Sequence, residues 1–216
     1  MAVLFRFVLF FALLPLLAGP VLAAKPPKKS KKDELVTIST SLGDIRLILF
    51  EDTPLHRANF LAKAKKGFYT GTTFHRVISE FMIQGGDANS KDQDPGNDGR
   101  GQPNDPTIAA ELGPGHQHTY GAVAAARTGG PAGTPSSHSQ FYLVQNHDGM
   151  PRLAGQYTVF GQVIQGLEVI DKIAAQPKDG RDRPLADVQM TVKVERLKKK
   201  KITELYGYKY ELKSMN

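Results

Sequence analysis

Between Leu35 and Leu197 short apolar runs alternate with clusters of Gly, Pro, Asn and Asp, a pattern that predicts strands joined by turns. Leu35 to Thr40 and Asp44 to Phe50 flank Ser41-Leu42-Gly43 and read as a first hairpin, with Ile45, Leu47 and Leu49 on one face. Thr53 stands where a helix cap is needed and Pro54 at the first helical position, where a missing amide proton does no harm. Ala58, Leu61, Ala62 and Lys65 follow at helical spacing and Gly67 marks the stop, so this helix is expected to cover an open end of the sheet. Phe74 to Ile78 and Phe81 to Gln84, closed by Gly85-Gly86, predict a second hairpin. Later strands are expected over Gly121 to Ala126, Phe141 to Gln145, Thr158 to Val163 and Val188 to Leu197. A second helix, Leu167 to Ala175, turns Leu167, Ile170 and Ala174 to one side. The pattern is mainly β and matches a closed eight-stranded antiparallel β-barrel capped by two α-helices. An interior of that size is filled by side chains, so a ligand must bind outside.

The second hairpin carries the candidate chemistry. With Ile78, Ser79 and Glu80 as a three-residue loop, Val77 lies opposite Phe81 and Arg76 opposite Met82, which puts Phe74, Arg76, Met82 and Gln84 on one face. A two-residue loop would separate Arg76 from Gln84. The first pairing offers a cation, an amide and a thioether beside Phe81, a small apolar pocket with a polar edge; the plainer alternative is a solvated arginine above ordinary core residues. Elsewhere the signals are weaker. Residues 87 to 106 form a polar excursion whose Asp92, Asp94 and Asp98 lack the glycine and final glutamate of a calcium loop. His116, His118, His138 and His147 lack zinc-ligand spacing. His138 and Ser139 are strand neighbours pointing to opposite faces, which argues against a nucleophile and its base. No metal and no cofactor is expected.

The run Phe74-His75-Arg76-Val77-Ile78 with Phe81-Met82-Ile83-Gln84-Gly85-Gly86-Asp87 resembles the signature of the cyclophilin family of peptidyl-prolyl isomerases. Three further blocks in the same order support this: Tyr120 to Ala126, Ser139 to Leu143, and Leu153 to Gly161. The resemblance covers about residues 35 to 197 and implies a cyclophilin-like barrel with its groove on the outer wall. It implies rotation about X-Pro bonds in unfolded or partly folded polypeptides, with Arg76, Gln84 and Phe81 as the catalytic group. It further implies a proline pocket of Phe81, Met82, Phe141 and Leu153, backbone contacts from Ala126 and Gln140, and additional substrate contacts from Tyr157 and His75. Tyr157 stands where many members have histidine, Arg127 where many have asparagine, and His138 where many have glycine. Arg152 stands where drug-sensitive members have tryptophan, which implies weak cyclosporin inhibition. The competing function is a module that binds proline-containing segments without turning them over.

The 216 residues, 40% hydrophobic, suit one domain with extensions. Residues 1 to 24 differ in kind: an apolar run from Phe7 to Leu17, then small residues that permit cleavage after Ala23 or Ala24. They read as a signal peptide, since the run is shorter than the roughly 20 residues of a spanning helix. The expected organisation is therefore signal peptide 1–24, Lys-rich linker 25–34, isomerase domain 35–197 and basic extension 198–216, in an exported, monomeric protein found in the periplasm or secreted. There is no cysteine, hence no disulfide framework. The net charge of +7 sits at the ends, leaving residues 35 to 195 at −2. Such ends can meet nucleic acid or an anionic membrane, but a solvated linker is the preferred reading. In the extension, Tyr206, Tyr208 and Tyr210 alternate with Gly207 and Lys209, a strand-like pattern suited to a sheet edge.

Overall fold

A computed structural model describes residues 30–210; the expected signal peptide, and the residues of both basic ends beyond these limits, lie outside them. From Lys31 onward the described residues form one compact unit. Its main sheet is antiparallel and has eight strands: β1 (Lys32–Thr40), β2 (Gly43–Leu49), β3 (Arg76–Ile78), β4 (Met82–Gly85), β6 (Ala122–Ala125), β8 (Phe141–Val144), β9 (Val159–Gln165) and β10 (Thr191–Lys198). They lie in the order β10-β1-β2-β9-β6-β8-β4-β3, while β5 (Thr107–Ile108) and β7 (Ser136–Ser137) pair separately.

The expected mainly-β class holds, but closure is incomplete, because no ladder joins the end strands β3 and β10 among the described residues. The chain leading into each strand bridges the gap instead. Thr73 pairs with Gln189, Phe74 N donates to Val188 O at 3.0 Å, and Met190 N donates to Thr72 O at 2.9 Å. The interior is packed shut by Val36, Ile38, Ile45, Leu47, Leu49, Val77, Ile83 and Val123 around an aromatic cluster. There the Phe60 ring lies 4.8 Å from Tyr69 and 5.4 Å from Phe141. A ligand is thus left with the outer wall.

Helix α1 (Pro54–Lys65) caps one end, though not by the face that its alanines suggest. Phe60 must join the aromatic cluster, so His56, Phe60, Leu61 and Ala64 turn inward while Ala58, Ala62 and Lys65 are exposed. Thr53 does not cap it with its side chain either, since its Oγ1 donates to Phe50 O at 3.3 Å. The first-turn amides of Leu55 and His56 donate to the two carboxylate oxygens of Glu111, each at 3.0 Å, and His56 Nδ1 lies 2.6 Å from the same group. Helix α2 (Leu167–Ala174) buries Val169, Ile170, Ile173 and Ala174 against the sheet.

A third helix, α3 (Lys199–Tyr206), replaces the strand expected around Tyr206. It turns Ile202 onto Leu35 and Ile48 on the outside of the sheet, and Tyr206, Tyr208 and Tyr210 pack against the same cluster. Apolar burial on this outer face outweighs edge pairing for the tyrosines. Lys32, Asp33 and Glu34 belong to β1 rather than to a linker, and the described part of the extension, as far as Tyr210, packs onto the domain.

Candidate active site

The second hairpin has its three-residue loop one position later than expected. Ile78 pairs with Met82, Val77 with Ile83 and Arg76 with Gln84, leaving Ser79, Glu80 and Phe81 in the turn. Phe81 N donates to Ile78 O at 3.2 Å, and Glu80 takes φ 57°. The two residues that follow β8 hold that strained residue: Glu80 N donates to Gln145 Oε1 at 2.6 Å, and Asn146 Nδ2 donates to Glu80 O at 2.9 Å. Directly opposed residues share a face, so Arg76, Gln84, Tyr142 and Ala124 form one outward rung and Ile78, Met82 and Val144 the next. Phe74 is not on this face, contrary to expectation, because it lies before β3 and packs into the interior.

The outward apolar cluster comprises Met82, Ala124, Ala126, Tyr142, Val144 and Met150, with Phe81, Leu153 and Tyr157 partly buried at its margin. Along its edge runs a polar chain. Arg76 Nη1 donates to Gln84 Oε1 at 3.5 Å, Gln84 Nε2 donates to Gln140 Oε1 at 2.9 Å, and Gln140 Nε2 donates to Gly99 O at 3.1 Å. Gln140 is fixed further by its own backbone, whose carbonyl accepts from Ala126 N at 3.0 Å. Gly86, at φ 87°, lets β4 leave the sheet here; a Cβ would stand 2.7 Å from Ser139 O. Beyond Gln140 opens a cavity of about 400 Å³, lined by Gln84, Gly101, Asp105, Ala126, Arg127 and Gln140. The polar excursion of residues 87 to 106 is thus one wall of a groove. It is anchored by buried Asp87, whose Oδ1 accepts from Asn89 N and Oδ2 from Gly101 N.

Two of the predicted contacts lie elsewhere. Phe141 points inward to Phe60, Tyr69 and Phe74, because β8 alternates and the outward positions are Tyr142 and Val144. Tyr142 therefore lines the pocket in its place, and counting by two from Gln140 would have found it. His75 faces away from Arg76 and is buried beneath the excursion near Gly99, with neither ring nitrogen hydrogen-bonded; burial lowers its pKa. Behind Tyr142 lies a residue that sequence reasoning set aside, His118, whose Nε2 is 2.9 Å from the Tyr142 hydroxyl. Burial lowers the His118 pKa to about 4 and raises that of Tyr142, so both are neutral.

Two arginines border the cluster. The Arg127 guanidinium lies 4.3 Å from the Tyr157 ring centre and donates to Gln156 O and Gly130 O, tying two loops together. That of Arg152 lies 5.7 Å from the Phe81 ring centre. No group of three or more potential metal ligands occurs among the described residues. An apolar slot edged by the Arg76 guanidinium and two relayed amides, with Arg127 and Arg152 at its margin, holds and polarises a ligand rather than attacking it.

Residues 35–194 match the family model described as cyclophilin type peptidyl-prolyl cis-trans isomerase/CLD, and the chain belongs to that family. A peptidyl-prolyl cis-trans isomerase-like 1 protein of Rhizopus delemar is 35% identical over 157 residues, 71% of this chain and 87% of the relative. A peptidyl-prolyl cis-trans isomerase of Acinetobacter baylyi is 38% identical over 149 residues, 66% of this chain and 73% of the relative. Among solved structures, a cyclophilin type peptidyl-prolyl cis-trans isomerase of Cryptosporidium parvum superposes with a TM-score of 0.63 at 28% identity. That match covers 76% of this chain and 98% of the other. The protein is a peptidyl-prolyl cis-trans isomerase acting on proline-containing polypeptides.

Proposed function

We propose that Arg76 catalyses the rotation and that the protein assists folding of exported polypeptides as a monomer without a cofactor. The observation that carries the catalytic part is the alignment of Arg76, Gln84 and Gln140 along one edge of the Met82–Tyr142–Leu153 cluster. Rotation about an X-Pro bond meets a barrier of roughly 20 kcal/mol because the nitrogen lone pair is shared with the carbonyl. With the proline ring seated on Met82, Tyr142, Phe81 and Leu153, a guanidinium proton donated toward the prolyl nitrogen localises that lone pair and weakens the shared bond. A guanidinium can do this without giving up a proton, so no covalent intermediate is needed. Gln84 holds Arg76 in place, and Gln140 and Ala126 meet the backbone before the proline. The cavity beyond Gln140 takes a side chain further upstream.

A protease-coupled isomerisation assay on a short proline peptide tests this. Arg76→Ala should lower kcat/KM by on the order of 100-fold while the peptide still binds. Undiminished activity would remove Arg76 from the mechanism; turnover absent in the parent with binding retained would favour a holding module. Export is supported by the leader-like residues 1 to 24, and cleavage after Ala23 or Ala24 leaves β1 whole because that strand starts at Lys32. Mass spectrometry of the cell-envelope fraction should find a chain starting at Ala24 or Lys25, and an intact Met1 in the cytosol would refute export.

A further inference from the structure

The two lysine-rich ends, remote in sequence, meet in the fold. Lys32 opens β1 directly opposite Lys198 at the end of β10, and Lys199 N donates to Lys31 O at 3.0 Å. Lys31, Lys32, Lys198, Lys200 and Lys201 are all exposed there. Among the described residues Lys31, Lys198 and Lys201 form no ion pair, and Lys200 reaches only Glu204, at 3.6 Å, in the open. Residues 35 to 195 carry a net −2, so the chain's excess of positive charge comes from its ends.

We propose that this corner is a docking surface for anionic phospholipid. Clustered lysines meet lipid headgroups through charge alone, and Leu205, 56% exposed one turn after Lys201, supplies an aliphatic side chain of the kind that enters a lipid interface. Nucleic acid fits less well, because base stacking needs open aromatic faces. Here Tyr206, Tyr208 and Tyr210 are half-buried against the Leu35–Ile48–Ile202 cluster, and Tyr210 also faces Lys199 at 4.9 Å. None of the corner's lysines belongs to the Arg76–Gln84–Gln140 chain or to the apolar cluster beside it, so the groove keeps its own lining on docking. An isomerase held this way works beside the membrane.

The test is sedimentation of the full chain with vesicles of phosphatidylcholine alone or mixed with phosphatidylglycerol, at low and high salt. The quantity read is the extra binding to the anionic vesicles, because the apolar run Phe7 to Leu17 contributes to both kinds. Each lysine near an anionic surface contributes roughly fivefold, so Lys198→Gln with Lys200→Gln and Lys201→Gln should lower that increment by on the order of 100-fold. High salt should abolish it, and isomerisation of a short peptide should be unchanged. A double variant, Lys200→Gln with Lys201→Gln, lies wholly on exposed helix and gives the same reading, on the order of 30-fold, if the triple variant folds poorly. The proposal is overturned by equal binding to both vesicle types, by an increment that these variants leave intact, or by tighter binding of a single-stranded oligonucleotide at matched salt.

Discussion

Mild acid should destabilise this fold through His118. Its ring is buried beside Tyr142, and burial lowers its pKa from 6.5 to about 4. Between those values the native state binds fewer protons at this site than the unfolded chain. The stabilisation is therefore fully present above about pH 6.5 and is lost as pH falls through about 4. The difference amounts to about 2 kcal/mol at pH 5 and about 3 kcal/mol at pH 4. For a chain of this length that corresponds to a Tm lowered by about 4–8 °C at pH 5. His56, His75 and His138 are also lowered by burial and add to the acid loss, so the parent alone cannot isolate one residue. His118→Gln removes this titration and keeps a group able to reach the Tyr142 hydroxyl. Thermal unfolding of both proteins across the acid range should give curves converging as pH falls, with the variant losing less by about 2 kcal/mol at pH 5. Parallel curves would refute the assignment of a neutral, buried imidazole.

Three other substitutions test separate parts of the structure. Glu111→Ala should cost about 2 kcal/mol, seen as a Tm lower by about 4–8 °C, because two first-turn amides of α1 and the His56 ring lose a charged acceptor. Tyr142→Leu should lower kcat/KM by about 10-fold or more, whereas Phe141→Leu should lower the unfolding midpoint and leave kcat/KM close to the parent value. The opposite pattern would place Phe141 in the pocket. Arg152→Trp should tighten cyclosporin inhibition by about 30-fold to 1,000-fold, since a rigid anchor beside Phe81 replaces a mobile guanidinium. Equal inhibition constants would show that this position does not face the drug.

Legibility in the sequence followed how locally each feature is determined. Strand positions were readable because apolar runs and turn residues report them directly, and Ile45, Leu47 and Leu49 do share the inner face as alternation requires. The cap on α1 was not readable, because the acceptor that serves it comes from Glu111, over fifty residues away, where no local pattern points to the helix. The helix in the extension was missed for a related reason. Alternating tyrosines look like a strand until the outer face of β1 and β2 offers Leu35 and Ile48 as something to pack on.

The site shows the same limit at a finer scale. Arg76, Gln84 and Met82 were placed on one face by a hairpin whose loop was counted one residue early, and they stay together because the true loop also has three residues. Moving a three-residue loop along the chain shifts each pairing by two and preserves face, whereas a two-residue loop would have put Gln84 inside. Phe141 had no such protection. A one-residue error in a strand exchanges inside for outside, and Phe141 and Tyr142 are both large, aromatic and buried, so hydrophobicity cannot separate them. The pairing does: Tyr142 lies opposite Gln84, while Phe141 lies opposite Gly85, where the missing side chain leaves room for interior packing. Across β8 the inner aromatic ring packs the interior, and the outer one lines the apolar cluster beside Gln84.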